Sequence, residues 1–280
     1  MPLPPNIRCG PSGWAYPDWN AVVYPQVKPR GFHPLAYLAS FFDLFEINAS
    51  RESALRPEVA RLWLNRSGPK PVFTIVLGNR FTRERDLDPA AVRDFKEGLW
   101  PFLNAGRLGC VLMEFPWAFR FTRENREFLI RLRRQFHEFP LAAEMRHSSW
   151  MLDEALGTLM DYRIGFCNLD QPAWTHAMPP AAFVTAGVGY VRLHGRGKDY
   201  LYSVAELEAW KSRIERIAGH TNALYVVTAN SPQGKSVVNA IQLQALLGLT
   251  PLEAPCELVR HYPDELAAIH PGSGWRVSAA

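Results

Sequence analysis

Polar side chains recur in pairs two residues apart, each closing a short apolar run. The pairs are Glu46 and Asn48, Glu144 and Arg146, Asn168 and Asp170, Arg192 and His194, and Thr228 and Asn230, with Glu114 near the end of a sixth run. Side chains two apart on a strand share a face, so each pair can point into a common pocket. Charge in apolar surroundings is costly unless it is paired or functional. Any one pair reads equally well as a structural ion pair, but polar ends on five runs together point to a site.

The chemistry these types allow is acid–base work on a small polar ligand. Histidine is the side chain that titrates near neutrality, so His194 is the first candidate for proton transfer, with Glu144 and Asp170 beside it as catalytic carboxylates. Arg146 and Arg192 can clamp a carboxylate or phosphate. Glu46 and Glu114 can accept hydroxyl protons, and Asn48 and Asn230 can orient the ligand. His147 should point away from Arg146 and reads as a capping histidine.

Two loops invite comparison with phosphate sites: His194-Gly-Arg-Gly-Lys198, and Ala229-Asn-Ser-Pro-Gln-Gly-Lys-Ser236 running into a helix. The second is a loose P-loop with Ala in the place of the first Gly, and no matching acidic strand follows it, which disfavours an NTPase. Helix N-termini and the last two loops of α/β barrels nevertheless bind anions. Lys235 is therefore a binding candidate, a solvated turn lysine being the alternative. Trp14, Tyr16, Trp19 and Trp150 can stack a sugar or a base, although core packing is the commoner fate of aromatics. Glu144, His194 and Asp170 lack any recognised ligand spacing, no HExxH or CxxC occurs, and neither a metal nor a cofactor is expected. The absence of a Gly-x-Ser-x-Gly elbow disfavours a serine hydrolase.

The elements that must position these groups are eight short apolar runs: Ile7–Gly10, Leu44–Ala49, Val72–Gly78, Gly109–Phe115, Leu141–Arg146, Gly165–Asp170, Tyr190–His194 and Leu224–Ala229. Helical segments fall between most of them. Pro57–Asn65, Asp88–Leu103 (capped by Asp88), Thr122–Phe136 (capped by Thr122) and Val237–Leu247 read as helices. Ser203-Val-Ala-Glu206 reads as a capping box ahead of Leu207, Trp210 and Ile214. Alternation repeated eight times in 280 residues predicts an α/β fold, one eight-stranded parallel (β/α)8 TIM-like barrel. Gln171–Val188, with three prolines, is the weakest unit and reads as a long irregular loop. The barrel should occupy residues 1–249, with 250–280 an irregular tail packed on it.

Hydrophobic residues make up 48% of the chain and the formal charge is +4, a globular composition without the charge density of a dedicated DNA binder. The four widely spaced cysteines suit buried thiols in a cytoplasmic protein. The first ten residues hold no apolar signal core, and no stretch reaches the ~20 apolar residues that span a bilayer, so no membrane partner is expected. Oligomeric state leaves no mark on the sequence.

At these same residues the chain resembles a known family. Ser12-Gly-Trp-Ala-Tyr-Pro17, Phe45-Glu-Ile-Asn48, Glu144-Met-Arg-His-Ser-Ser-Trp150, Asn168-Leu-Asp-Gln-Pro172 and Tyr190-Val-Arg-Leu-His-Gly195 look like the signature segments of the YecE-like family, domain of unknown function seventy-two, and Gly234-Lys-Ser-Val-Val-Asn-Ala240 fits its last segment. The likeness runs from about Ile7 to Leu247. It implies a TIM-like barrel and no established reaction. It also implies departures: Val76 stands where similar members carry Lys, Arg83 where they carry His, and Glu114 where they carry Gln. Ala229 replaces the first residue of an Asn-Asn pair, and Arg51 and Glu52 replace two aromatics.

Three functions compete on this reading. The first is an enzyme for a small anionic or sugar-like substrate, working through Glu144 and His194. The second is a barrel that binds such a ligand without turning it over, having lost part of the family site. The third is nucleic-acid or nucleotide processing by the aromatic mouth and basic loops.

Overall fold

The computed structural model describes residues 6–249 and 253–272. Parts of the anticipated N-terminal segment (1–5) and tail (250–252 and 273–280) lie outside the described residues.

Eight buried strands form one parallel sheet: β1 (Ile7–Pro11), β2 (Leu44–Ile47), β3 (Val72–Val76), β4 (Leu108–Glu114), β5 (Leu141–Glu144), β6 (Ile164–Asp170), β7 (Val188–Leu193) and β8 (Ala223–Thr228). The order is β1-β8-β7-β6-β5-β4-β3-β2. The free edges of β1 and β2 meet at a parallel bridge between Ser12 and Glu46, where Gly13 N donates to Glu46 O at 2.8 Å. The sheet therefore closes on itself as a (β/α)8 TIM-like barrel. Gly10 permits that closure: a Cβ there would lie 2.0 Å from the Leu44 carbonyl oxygen.

Helices α1 (Pro34–Leu38), α2 (Pro57–Arg66), α3 (Asn79–Thr82), α4 (Pro89–Asn104), α5 (Arg123–Gln135), α6 (Asp153–Asp161), α7 (Val204–Ala218) and α8 (Lys235–Leu246) fill the connections. Local chemistry starts them where the sequence indicates. Asp88 and Thr122 accept from Ala91 N and Asn125 N, and Ser203 and Glu206 form a reciprocal capping box. The β6–β7 connection carries no helix, and its irregular backbone is clamped by Asn168, which accepts from Phe183 N and donates to Phe183 O. Beyond α8, β9 (Glu253–Pro255) and β10 (His270–Gly272) pair in parallel around α9 (Cys256–His261), whose Leu258 joins the main core.

Parallel strands buried on both faces build two cores. The outer one lies between barrel and helices. The inner one is a plug of Leu44, Val76, Cys110, Leu112, Ala142, Cys167, Tyr190, Tyr225 and Val227. Paired residues of neighbouring parallel strands face the same side, so the register shows what lies above this plug. Glu46 pairs with Thr74, Glu114 with Glu144, and Arg192 with Val227. The barrel is thus apolar below and ionic at its C-terminal mouth. No helix among the described residues is long and apolar enough to cross a membrane.

Candidate functional site

Arg192 stands at the centre of the mouth, fully enclosed. Its Nη1 donates to Glu114 Oε2 at 2.9 Å and to Glu144 Oε2 at 2.7 Å, and its Nη2 donates to Glu46 Oε1 at 2.8 Å. Glu46 also accepts from Ser12 Oγ at 2.6 Å and from the Tyr190 hydroxyl at 2.8 Å. Glu144 Oε1 accepts from Arg146 Nε at 2.9 Å and lies 3.0 Å from His194 Nε2. Glu114 Oε1 accepts from Arg146 Nη2 at 3.0 Å, and its carboxylate also pairs with Arg51 and, at 3.8 Å, with Arg83.

Three buried carboxylates thus face four guanidiniums, and the positive groups other than Arg192 lie nearer to solvent. The side chains of Arg146, Arg51 and Arg83 are 24%, 29% and 49% exposed and that of His194 is 18% exposed, whereas Glu46 and Glu144 are sealed. Burial alone would push the Glu144 carboxyl up, but His194, Arg192 and Arg146 outweigh it and hold it well below the ordinary carboxylate range. Burial and Arg192 compete in the same way at Glu46, with Ser12 helping the charged form, and the net direction is down. The reciprocal effect on Arg192 is upward: the three carboxylates outweigh its burial. Glu46, Glu144 and Arg192 are therefore charged at neutral pH.

The arrangement revises several expectations. The Arg192 guanidinium, expected as a clamp for an anion, is held by three carboxylates of the protein. The shared-face rule places Glu46, Glu144, Arg192 and His194 inside but misplaces the pairs of β6 and β8. Cys167 and Leu169 pair in register with Tyr190 and Arg192, so Asn168 and Asp170 take the other face. There Asp170 accepts from Arg196 Nε at 3.1 Å, from Arg196 Nη2 at 3.2 Å and from Trp210 Nε1 at 3.3 Å. Its carboxylate makes no hydrogen bond to Glu144 or His194 among the described residues, although its carbonyl oxygen accepts from His194 N at 3.0 Å. Thr228 likewise turns outward to Ser236 O, and Asn230 donates to Tyr200 O and Asn239 Oδ1. Lys235 is buried and pairs with the Asp199 carboxylate, which ties the two phosphate-like loops to one another. Trp19 and Trp150 are completely buried, donating to Ser231 O and Phe119 O, and have no face left for a ligand. His147 caps the turn Ser148–Met151 by accepting from Ser149 N.

Asn48 and Trp14 stay at the mouth, flanking a cavity of about 160 Å³ beside Tyr16, Ile47, Ala49 and Trp63. Sequence reasoning passed over Ser12, Tyr190, Arg196 and Trp63. Tyr190 carried a usable signal, since it lies two residues before Arg192 on the same strand; Trp63, on α2, carried none. Among the described residues no group of three or more His, Cys, Asp or Glu side chains is placed to hold a metal ion. The carboxylates of the mouth are turned onto arginines instead.

The model of the family described as "Protein of unknown function DUF72" matches residues 8–261. The chain belongs to the DUF72 family. It is similar to the UPF0759 protein YunF of Bacillus subtilis, with 24% identity over 272 residues covering 87% of this chain and 95% of that protein. A DUF72 family protein of known structure from Thermotoga maritima is 27% identical, covers 86% of this chain and 99% of its own, and superposes with a TM-score of 0.76. A DUF72 family structure from Enterococcus faecalis, 19% identical, covers 88% of this chain and 96% of its own, and shares the fold at a TM-score of 0.79.

Three of the six positions at which the resemblance implied a departure meet within this DUF72 barrel. Arg51 and Arg83 both pair with Glu114, so three of the altered positions form one ionic cluster on the rim. Val76 belongs to the apolar plug below it, with its side chain fully buried. Positive charge here sits at the rim and not within the plug.

Proposed function

We propose that this chain is an enzyme acting on a small ligand that bears a phosphate or carboxylate, with His194 as its proton-transfer group. The single observation that carries this reading is the contact of His194 Nε2 with Glu144 Oε1 at 3.0 Å, beside a partly open guanidinium. A carboxylate held charged beneath an imidazole fixes its orientation and stabilises the imidazolium formed when the ring takes a proton. Glu144 is too strongly stabilised as an anion to be a useful base itself, so it orients the ring and the ring does the transfer. The other ring nitrogen, Nδ1, is left for substrate. Arg146 spends Nε and Nη2 on Glu144 and Glu114, and its Nη1 has no partner among the described residues. With Arg83 and Arg51 it offers an anion a positive rim over negative groups that are already neutralised. All four cysteines are free thiols, three of them buried, which supports a reducing, cytoplasmic location.

A second reading, binding without turnover, draws on Glu144 itself. Both of its oxygens are occupied by protein donors, as a purely structural ion network would have them.

Thermal-shift screening against phosphate- and carboxylate-bearing metabolites separates these readings when it is repeated on Arg146→Ala and His194→Ala. A specific ligand should stabilise the intact protein by an amount set by its occupancy and lose most of that effect in Arg146→Ala. In His194→Ala the ligand should still bind and its conversion should stop. Undiminished stabilisation of Arg146→Ala sinks the anion rim. Turnover that survives in His194→Ala sinks the role of the ring.

A further inference from the structure

A cavity of about 160 Å³ lies beside Asn48. Its walls are the indoles of Trp14 and Trp63, which meet edge to face with centroids 5.0 Å apart, together with Tyr16, Ile47 and Ala49. Apolar cavities of about 150 Å³ accept a single benzene-sized ring, and this one measures about 160 Å³. Two lining side chains carry polar groups, the Asn48 amide and the Tyr16 hydroxyl, which donates to Ser12 O at 2.9 Å. Asn48 Nδ2 donates to the Tyr16 hydroxyl at 2.9 Å and to Ser12 Oγ at 3.2 Å, which fixes the amide and leaves Oδ1 as an acceptor with no partner among the described residues.

Two links join this cavity to the ionic mouth. The first is covalent: Ala49, on its wall, opens the turn Ala49–Arg51, and Arg51 then pairs with Glu114 on the rim. The second is a chain of hydrogen bonds. It runs from Asn48 to Ser12 Oγ, from Ser12 Oγ to Glu46 at 2.6 Å, through Arg192 to Glu144, and so to His194. A largely apolar, ring-sized hollow with one fixed acceptor is thus connected through Asn48, Ser12 and Glu46 to the ionic mouth that carries the cationic rim and the positioned imidazole. Ligand pockets have this composition: apolar walls with a few placed polar groups.

We infer that the cavity is a subsite for a planar ring carried by the ligand whose anionic group lies on Arg51, Arg83 and Arg146. The substrate class is then a small aromatic or heteroaromatic phosphate or carboxylate, and not a bare sugar phosphate. This inference rests on the anion rim proposed above and deepens it.

The test uses inorganic phosphate and phenyl phosphate as probes, titrated by calorimetry into the full chain and into Ala49→Leu and Arg146→Ala. Leucine at 49 enlarges a side chain that lines the hollow and replaces no rim cation. The intact protein should bind phenyl phosphate about tenfold or more tightly than phosphate, the gain expected from burying one ring face. Ala49→Leu should abolish that preference while its affinity for phosphate stays within about twofold, and Arg146→Ala should weaken both probes. A measurement independent of the leucine variant follows the indole N–H resonances of Trp14 and Trp63, assigned through Trp14→Phe and Trp63→Phe. Phenyl phosphate should shift them and phosphate should not. Equal affinity for the two probes, or a preference that survives Ala49→Leu, overturns the ring subsite and leaves the anion rim standing. Failure of both probes to bind overturns the rim and the subsite together.

Discussion

Arg192 Nη1 donates to Glu144 Oε2 at 2.7 Å, and the two side chains are almost completely shut off from solvent. This pair decides how the rest of the mouth can work. A guanidinium that already satisfies Glu46, Glu114 and Glu144 is an internal counter-ion, and under the proposed function recognition of a ligand falls to the cations above it. Together with His194 and Arg146 it holds the Glu144 carboxyl well below the ordinary carboxylate range, so this buried pair helps set both the charge of the floor and the posture of the ring.

Substituting Arg192 by methionine should be strongly destabilising. It leaves three carboxylates crowded together in a closed mouth with one buried counter-charge gone. Removing one member of a buried ion network costs about 3–5 kcal/mol. Urea unfolding of Arg192→Met against the intact protein measures this, and a loss below about 1 kcal/mol would show that the network is solvated and contributes little.

Acid should weaken the fold through the same carboxylates. Glu144 and Glu46 are held below the ordinary carboxylate range in the folded state. Groups of this kind contribute stability that is fully present above the unfolded-state value and is lost as pH falls through the folded-state value. Stability should therefore decline from about pH 5 downward. Denaturation curves collected at a series of pH values should be flatter over that range for Glu144→Gln; identical slopes would remove Glu144 as a cause.

Ser12→Ala should loosen the barrel seam. The hydroxyl donates to Glu46 and accepts from Asn48 at the point where β1 and β2 close. Loss of a buried donor to a charged group costs about 1–3 kcal/mol. Hydrogen exchange at the Gly13 amide, which bonds across that seam to Glu46 O, should accelerate more than exchange at amides on the far side of the barrel.

Thiol reactivity should divide the cysteines sharply. Burial pushes the thiols of Cys9, Cys110 and Cys167 up, with nearby acidic groups adding to it, so they are neither thiolate nor accessible. Cys256 is only half-buried. A chromogenic disulfide reagent should titrate no more than Cys256 in the native protein and all four thiols once it is unfolded. Fast reaction at Cys110 or Cys167 in the native protein would show that the barrel plug opens, and at Cys9 that the outer core does.

Strand and helix alternation, the caps at Asp88, Thr122 and Ser203, and the polar strand ends were all legible from residue order, because each follows from local periodicity or local hydrogen bonding. The irregular Gln171–Val188 stretch was legible too, since three prolines rule out a regular helix. The inward set on β2, β4, β5 and β7 came out correctly because its members are ionic. Parity on β6 and β8 did not. Cys167 and Asn168 are both buried, as are Val227 and Thr228, and strands buried on both faces lack the alternation that would tell inside from outside.

The polar mouth with which the sequence reading began is therefore only partly a property of the sequence. Residue order alone determined that a parallel barrel forms and which residue types gather at its C-terminal end, because hydrophobic period and strand polarity act over a few neighbours. The tertiary structure decided which of those residues meet: that Arg192 faces three carboxylates, that Asp170 turns away to Arg196, and that Arg51 and Arg83 converge on Glu114. Those contacts span strands far apart in the chain. They are set by the register in which the sheet closes, and no local pattern encodes that register.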